Sequence, residues 1–401
     1  MKSPLGIYIH LPFCESKCGY CNFASGVYPV SMILPYIKAL HEEIIAVRAV
    51  CQEMGTEPGL LDSMVVDTVY FGGGTPSLLS AQHITEIMQM LRDIFPFTRN
   101  GEVTLEVNPG TVDPPKAKAH CAAGVNRVSI GMQTFQNHLL GKIGRSHSVE
   151  DSIATFDLYR EHGLNNISLD LILGLPGMLQ PEWEHNLHQV KMLNPEHISM
   201  YMLEIHENTY FGKVYGPLQT RENQGLERTA QNDLPDDETV EAYYFRAVDS
   251  FRTGGWRQYE ISNFARPGFE SRHNLKYWKD LPFLGFGCGA CSYLDGKRWG
   301  NERNVGLYTE LIGKNRNAIV FRCVLDEIER QEEALFLGMR LIGGISLIAF
   351  EEKFGFDLRS RFEKKIDHLL DAGLIEISPD SLRLTRRGWM LSNEVFSEFM
   401  Q

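Results

Sequence analysis

Three cysteines stand in the pattern Cys14-x3-Cys18-x2-Cys21, directly after the apolar run from Gly6 to Phe13. Thiolates are soft ligands that select iron–sulfur clusters or zinc. A structural zinc site wants a fourth cysteine or histidine at finger-like spacing. Here Asn22 and Phe23 follow Cys21, and the nearest histidine, His10, precedes the triplet. Ferredoxin spacing fails as well, because no fourth cysteine lies nearby. What remains is a cubane cluster held at three corners with one iron open, a reagent as well as an electron store.

Other residues with chemical capacity fall at the ends of strand-like runs. Gly72-Gly73-Gly74-Thr75-Pro76 follows one such run. Its glycines let backbone approach a ligand closely, although a tight strand-to-helix turn explains them equally well. Glu106 and Gln133 end two further strands, and Arg145 offers a planar fork suited to a carboxylate. For Glu106 and Arg145 alone, a surface ion pair is an equal reading. Asp170, in Leu169-Asp-Leu-Ile-Leu-Gly-Leu-Pro-Gly177, is a charge in a strand that otherwise reads as buried on both faces, which favours a ligand role. In His273-Asn274-Leu275-Lys276-Tyr277-Trp278 a histidine stands beside two aromatics. Histidine is a common metal ligand, Tyr277 and Trp278 can stack on or edge a flat ligand, and Arg272 and Lys276 can neutralise carboxylates. Taken alone, such a histidine is more simply a satisfied structural one.

The elements that must position these groups alternate regularly. Strand-like runs at 6–13, 67–71, 102–107, 127–133, 166–174 and 197–204 are separated by amphipathic stretches at 31–53, 81–95 and 149–162. Repeated strand–helix–strand order implies parallel strands covered by helices, with reactive groups at the C-terminal strand ends. A polar segment at 212–238 reads as a surface excursion, a helix follows at 240–252, and 253–322 reads as irregular. Helical patterns at 327–341, 347–354 and 359–372, then short strands at 374–377 and 382–385, resemble a winged-helix module. A structural or protein-contacting role suits that module better than DNA binding, since its wing offers only Arg383, Arg386 and Arg387. The expected divisions are a core at 1–235, an extension at 236–325 and the terminal module at 326–401.

Composition narrows the class. The 401 residues are 43% hydrophobic and 22% charged, as in a globular protein with ample core. A net charge of −12 argues against nonspecific binding to nucleic acid. No apolar run reaches membrane-span length and no signal pattern is evident, so the expected location is cytoplasmic. Eight unevenly spaced cysteines do not form a secreted disulfide framework. Cys51, Cys121 and Cys323 read as small buried hydrophobes.

The cysteine spacing, with Tyr20 before the last thiol, resembles the radical S-adenosylmethionine (SAM) superfamily. The resemblance implies a partial (β/α)6 barrel, a [4Fe–4S] cluster on Cys14, Cys18 and Cys21, and SAM on the open iron, where reductive cleavage yields a 5′-deoxyadenosyl radical. It further implies that Gly73, Gly74 and Thr75 hold the methionine amino group. Glu106, Gln133, Arg145 and Asp170 contact the same cosubstrate, and Tyr8 and Tyr20 pack against it. Tyr-Ile-His-Leu-Pro-Phe-Cys14, Phe71-Gly-Gly-Gly-Thr-Pro-Ser77 and Tyr259-Glu-Ile-Ser-Asn-Phe264 are similar to the branch holding oxygen-independent coproporphyrinogen III oxidase and the haem chaperones. Phe23 stands where the oxidase carries a further cysteine. The chain begins thirteen residues before Cys14, without the oxidase's longer extension, and the hexapeptide His273–Trp278 matches the chaperone signature. That branch implies haem b as cargo at His273, Asn274, Tyr277 and Trp278, with acceptor haem proteins and an electron donor for the cluster as partners. It also leaves room for peripheral membrane contact at the acceptor and for a homodimer. The alternative is oxidative decarboxylation of coproporphyrinogen III propionates. One departure concerns Gly285-Phe-Gly-Cys-Gly-Ala-Cys-Ser292, where Cys291 replaces the family histidine. The Cys288-x2-Cys291 pair reads as two tolerated small side chains, or as a thiolate near haem.

Overall fold

The computed structural model describes residues 2–216 and 233–400. Six parallel strands form its centre in sequence order: β1 (Ser3–Leu11), β2 (Met64–Gly73), β3 (Phe97–Val107), β4 (Arg127–Gln133), β5 (Ile167–Leu173) and β6 (His197–Met202). Helices including Ile33–Glu53, Ala81–Ile94, Pro114–Ala123, Val149–Glu161 and Gln180–Leu193 lie between them, the order expected of a radical SAM partial (β/α)6 barrel.

Each strand has two chemically different faces, because side chains alternate along extended backbone. Leu5, Ile7, Ile9 and Leu11 of β1 point into the core, as do Val128, Ile130 and Met132 of β4 and Ile167, Leu169, Leu171 and Leu173 of β5. The intervening positions carry Tyr8 and His10; Thr68 and Tyr70; Glu102, Thr104 and Glu106; Arg127 and Ser129; Ser168 and Asp170; His197, Ser199 and Tyr201. Apolar side chains pack under the helices, and polar ones line the barrel lumen. Asp170 sits, as expected, in a strand buried on both faces, and it follows Ser168 on the polar one.

Residues 253–322 are ordered rather than irregular. β7 (Arg257–Glu260) and β8 (Asn263–Ala265) extend the sheet beyond β6. β9 (Phe283–Phe286) pairs parallel to β1, and β10 (Cys291–Leu294), β11 (Lys297–Asn301) and β12 (Ile319–Val324) continue outward. Strands of three to six residues broken by turns leave too short a period to read. Gly285 shows why the segment needs its glycines: a Cβ there would lie 2.1 Å from the Cys291 carbonyl oxygen. Only part of the surface excursion expected at 212–238 falls within the described residues: Tyr210–Tyr215 is helical, and the helix Asp237–Thr253 starts before its end.

The C-terminal part has its own apolar core, built on Leu335, Phe350, Leu369, Leu382 and Phe399. There β14 (Ile375–Ile377) and β15 (Ser381–Leu384) form the expected hairpin, joined by the two-residue β13 (Ile345–Ser346). The helix expected at 359–372 is divided at Phe362 into Leu358–Arg361 and Glu363–Asp371.

One buried acid ties the first helix to the added strands. Glu43 accepts from Gly287 N–H (2.8 Å), the Tyr308 hydroxyl (2.6 Å) and the Asn301 amide. Burial raises its carboxyl to about 7 despite these donors. Its ionised form is thus disfavoured in the fold, and this contribution to stability is full at acid pH and lost as pH rises through about 7. Glu43→Ala leaves three buried donors without an acceptor. It is expected to lower unfolding stability by about 3 kcal/mol in a urea titration; a loss under about 1 kcal/mol would contradict this bracing role.

Candidate functional site

The cysteine loop leaves the C-terminal end of β1 and is pinned on three sides. Cys14 N–H donates to Gly26 O (2.9 Å) and Gly26 N–H to Pro12 O (3.0 Å), closing the loop on itself. Gly19 N–H donates to Ile143 O, and Phe211 N–H to Gly19 O. On the third side the glycine run after β2 zips onto the loop's root, with Gly74 N–H on Leu11 O and Thr75 N–H on Phe13 O, both at 2.8 Å. Gly73 has φ +113°, and a Cβ there would stand 2.6 Å from the His10 ring, so a side chain is excluded twice over.

His10 itself faces away from metal chemistry. Its Nε2 donates to Ala24 O (2.9 Å), leaving Nδ1 to accept from the Tyr8 hydroxyl (3.1 Å). Burial depresses its pKa to about 4, so the ring is neutral. Cys14, Cys18 and Cys21 are free and half-buried. Burial raises the Cys14 thiol, opposed by hydrogen bonds to Ser25 and Thr75. Among the described residues no three His, Cys, Asp or Glu groups already form a single-ion site. A cubane spreads its ligands over separate iron corners, so three unbridged sulfur donors on one braced loop fit a cluster better than a lone ion.

Beside the loop lies a second donor set. The turn that receives Gly19 also carries Arg145, whose Nη2 donates to the Tyr20 hydroxyl (3.1 Å) and Nη1 to Asn108 Oδ1 (2.9 Å). Both partners are neutral, and its buried Nε has no partner. A guanidinium so placed retains its full charge for an anion. Gln133, at φ +66°, ends β4 next to it, and a Cβ on Gly131 would lie 2.9 Å from the Gln133 amide and 3.4 Å from Arg145 Nη2.

The lumen beneath is lined by acids and tyrosines. Glu106 accepts from the Tyr70 hydroxyl (2.9 Å) and Gly73 N–H (3.2 Å). Burial first, and then the Asp170 charge, raise its carboxyl to about 7. Asp170 accepts from Ser129 at 2.9 and 3.1 Å and from Ser168 at 3.3 Å, and burial raises it too. Tyr8 stacks on Tyr70 with ring centres 6.2 Å apart. The residues expected to meet one cosubstrate, Tyr8, Tyr20, Gly73, Gly74, Thr75, Glu106, Gln133, Arg145 and Asp170, thus all lie on the lumen wall or on the loops at its cysteine end. A separate hollow of about 460 Å³ at Gly110, Asp151, Thr155 and Glu161 holds none of them.

The hexapeptide occupies the opposite end. The helix Arg272–Trp278 closes the barrel where strands begin: Glu102 accepts from Arg272 N–H (3.1 Å) and His273 N–H (3.0 Å), capping its N-terminus. His273 is fully buried, with Nδ1 on the Thr68 hydroxyl and Nε2 on the Tyr277 hydroxyl, each at 2.9 Å. Burial depresses its pKa to about 3. Asn274, Tyr277 and Trp278 are half-buried. The Trp278 ring lies 4.4 Å from the Arg340 guanidinium of the C-terminal part, and its Nε1 is unpartnered. Arg272 and Lys276, expected as counter-charges for propionates, are instead committed to the barrel floor. Lys276 pairs with Asp67 at 2.7 Å and is 2% exposed, and Arg272 reaches Asp67 and Asn100 O.

Sequence reading missed Arg127, His197 and Tyr259, which share this end of the lumen. His197 bonds Ser168 and Tyr259, both at 2.8 Å. The available signal was the polar alternation of β4 and β6. Cys288 is buried against Tyr36, while Cys291 is exposed at the start of β10. Phe23, 69% exposed, sits on the cysteine loop.

His273 acts as a structural plug as well as a candidate ligand. His273→Ala strands two buried hydroxyls and is expected to cost about 2–3 kcal/mol of unfolding stability without any haem present. A loss below about 0.5 kcal/mol in a denaturant titration would refute the plug.

Residues 8–190 match the radical SAM superfamily and residues 325–391 the HemN C-terminal domain. A Bacillus subtilis (strain 168) protein named heme chaperone HemW is 36% identical over 394 residues, covering 98% of each chain. A Haemophilus influenzae protein of the same name is 30% identical over 99% of this chain and 98% of that one. Radical S-adenosyl methionine domain-containing protein 1, mitochondrial, of Bos taurus is 31% identical over 95% and 84%. The structure of Escherichia coli coproporphyrinogen III oxidase (HemN), described as a radical SAM enzyme, superposes with TM-score 0.82 over 99% of this chain and 90% of that one. At 21% identity, this shows a common fold.

Proposed function

The chain belongs to the HemW family of radical SAM proteins, and on that footing we propose that it is a haem chaperone carrying a SAM-ligated [4Fe–4S] cluster and passing haem b to acceptor haem proteins. The observation that carries the reading is the joint placement of three free thiols and a buried guanidinium without a counter-ion around one end of a polar lumen. When bound, the cluster supplies an electron and an open iron for the amino and carboxylate groups of SAM.

The remaining work falls to side chains. Cys14, Cys18 and Cys21 hold the cluster, and Arg145 meets the carboxylate. The Gly73–Thr75 backbone lies against the amino end, with Gln133 beside it. Glu106 and Asp170 accept from ribose hydroxyls, while Tyr8 and Tyr20 exclude water from the faces of the cosubstrate. Haem engages the hexapeptide. For His273 to reach iron, Nε2 must exchange the Tyr277 hydroxyl for the metal, while the Thr68 bond to Nδ1 fixes the ring, as a held ligand requires. That exchange opens the plug, exposing Tyr277 and Trp278 to edge the macrocycle and Asn274 to meet it. An electron donor to the cluster, a cytoplasmic setting, membrane contact at the acceptor and self-association fit the same reading. Among the described residues no helix is long and apolar enough to cross a membrane.

Three measurements test this reading. Cys18→Ala is expected to lose iron and sulfide at least tenfold after anaerobic reconstitution; retention of a full cluster would refute the ligand set. Glu106 accepts from hydroxyls as a carboxylate, so SAM affinity should rise as pH increases through about 7 and lie flat in Glu106→Gln. The opposite slope would remove Glu106 from the site. Incubation of the reduced, reconstituted protein with SAM and coproporphyrinogen III should leave the propionates intact. Formation of protoporphyrinogen IX would favour the oxidase reading, against which Phe23 counts.

A further inference from the structure

Arg127 opens β4 on the lumen side, two positions before Ser129, whose hydroxyl donates to Asp170. It is 1% exposed, and its Nε and Nη1 meet no hydrogen-bond partner among the described residues. Thr104, opposite it in the β3–β4 register, has an unpartnered Oγ1 as well. Groups from every surrounding element feel its charge: Tyr70, Glu106, Asp170, His197, Tyr259 and His273. None of them hydrogen-bonds it. Glu106 serves Tyr70 and Gly73, and Asp170 serves Ser129 and Ser168. His197 is held by Ser168 and Tyr259, and His273 by Thr68 and Tyr277.

A buried cation with neither counter-ion nor acceptor is costly to keep. Arg145 likewise lacks a counter-ion at the cysteine end, where a carboxylate is expected, although its Nη1 and Nη2 reach the neutral acceptors Asn108 and Tyr20. Arg127 lacks one as well, one layer deeper, where no role has been assigned. Lys276 of the hexapeptide and Arg272 just before it are already spent on Asp67 and Asn100, so a carboxylated cargo entering the lumen finds its free positive charge at Arg127. The tyrosine rings of Tyr8, Tyr70 and Tyr201 on the same wall suit the flat apolar body to which such a carboxylate is attached.

We propose that Arg127 anchors a propionate carboxylate of the porphyrin cargo inside the barrel lumen. This rests on the haem reading above and adds a deep subsite to it. Binding here places one edge of the cargo beneath the cosubstrate region and within reach of the plug helix.

The test is a titration of the full-length chain with haem and with haem dimethyl ester, followed by Soret absorbance, for wild type, Arg127→Gln and Arg127→Lys. Esterification should weaken wild-type binding about ten- to a hundredfold, the worth of a charged hydrogen bond. Arg127→Gln should weaken haem binding by a similar factor and bind acid and ester alike, with Arg127→Lys intermediate. Equal wild-type affinity for acid and ester overturns the anchor while leaving the haem reading intact, and so does preserved discrimination in Arg127→Gln. That result would mean that water alone satisfies Arg127. Binding of neither ligand by wild type overturns the haem reading and the anchor with it. Should Arg127→Gln fail to fold by circular dichroism, the wild-type comparison of acid with ester decides alone.

Discussion

The two faces of the central strands govern everything else in this molecule. One face is apolar and welds the strands to their helices; the other carries acids, hydroxyls, imidazoles and arginine into a narrow interior. Polar groups in such a place are stable only when each finds a partner. Most do, in short local pairs such as Ser129 with Asp170 or Thr68 with His273. The exceptions on the lumen side include two cations, Arg127 and Arg145, which keep buried nitrogen atoms unpartnered, beside neutral groups such as the Thr104 hydroxyl. Those exceptions locate the chemistry, because an interior that satisfies nearly every acceptor but leaves guanidinium groups open is prepared for anions.

The ends of the barrel divide the labour. At the C-terminal strand ends the cysteine loop, the glycine run and the Arg145 turn lean on one another through backbone hydrogen bonds. Three segments distant in sequence therefore form one rigid rim, as preorganised sites require. At the other end a short helix is clamped by Glu102 and Asp67 and pushes a neutral imidazole into the lumen. Each element is simple alone. They face one another across one polar channel.

Much of this was legible in the chain. The cysteine spacing, the six strand-like runs and the apolar helix faces are local patterns, and β4 begins and ends where its residues indicate. The residues that the family resemblance groups around one cosubstrate do lie together, on the lumen wall and on the loops at its cysteine end. What escaped was non-local. β7 to β12 are too short to show a period, and their pairing is decided by partners such as β1 and β6. Asp170 read as an isolated charge because Ser168 was not taken with it as one polar face. The hexapeptide showed a histidine beside aromatics but not its setting, which Glu102, 171 positions from His273, decides by folding it inward. Lys276 looked available for the same reason, and Asp67 claims it.

A chaperone differs from an oxidase in returning its porphyrin unchanged. The most direct test is to load the full-length chain with haem and mix it with an apo haem protein. Spectra then follow the acceptor, and mass spectrometry follows the tetrapyrrole. The account predicts that intact haem, both propionates included, appears in the acceptor as it leaves the donor. Haem that stays on the chain, or a tetrapyrrole recovered without a propionate carboxyl, would contradict it.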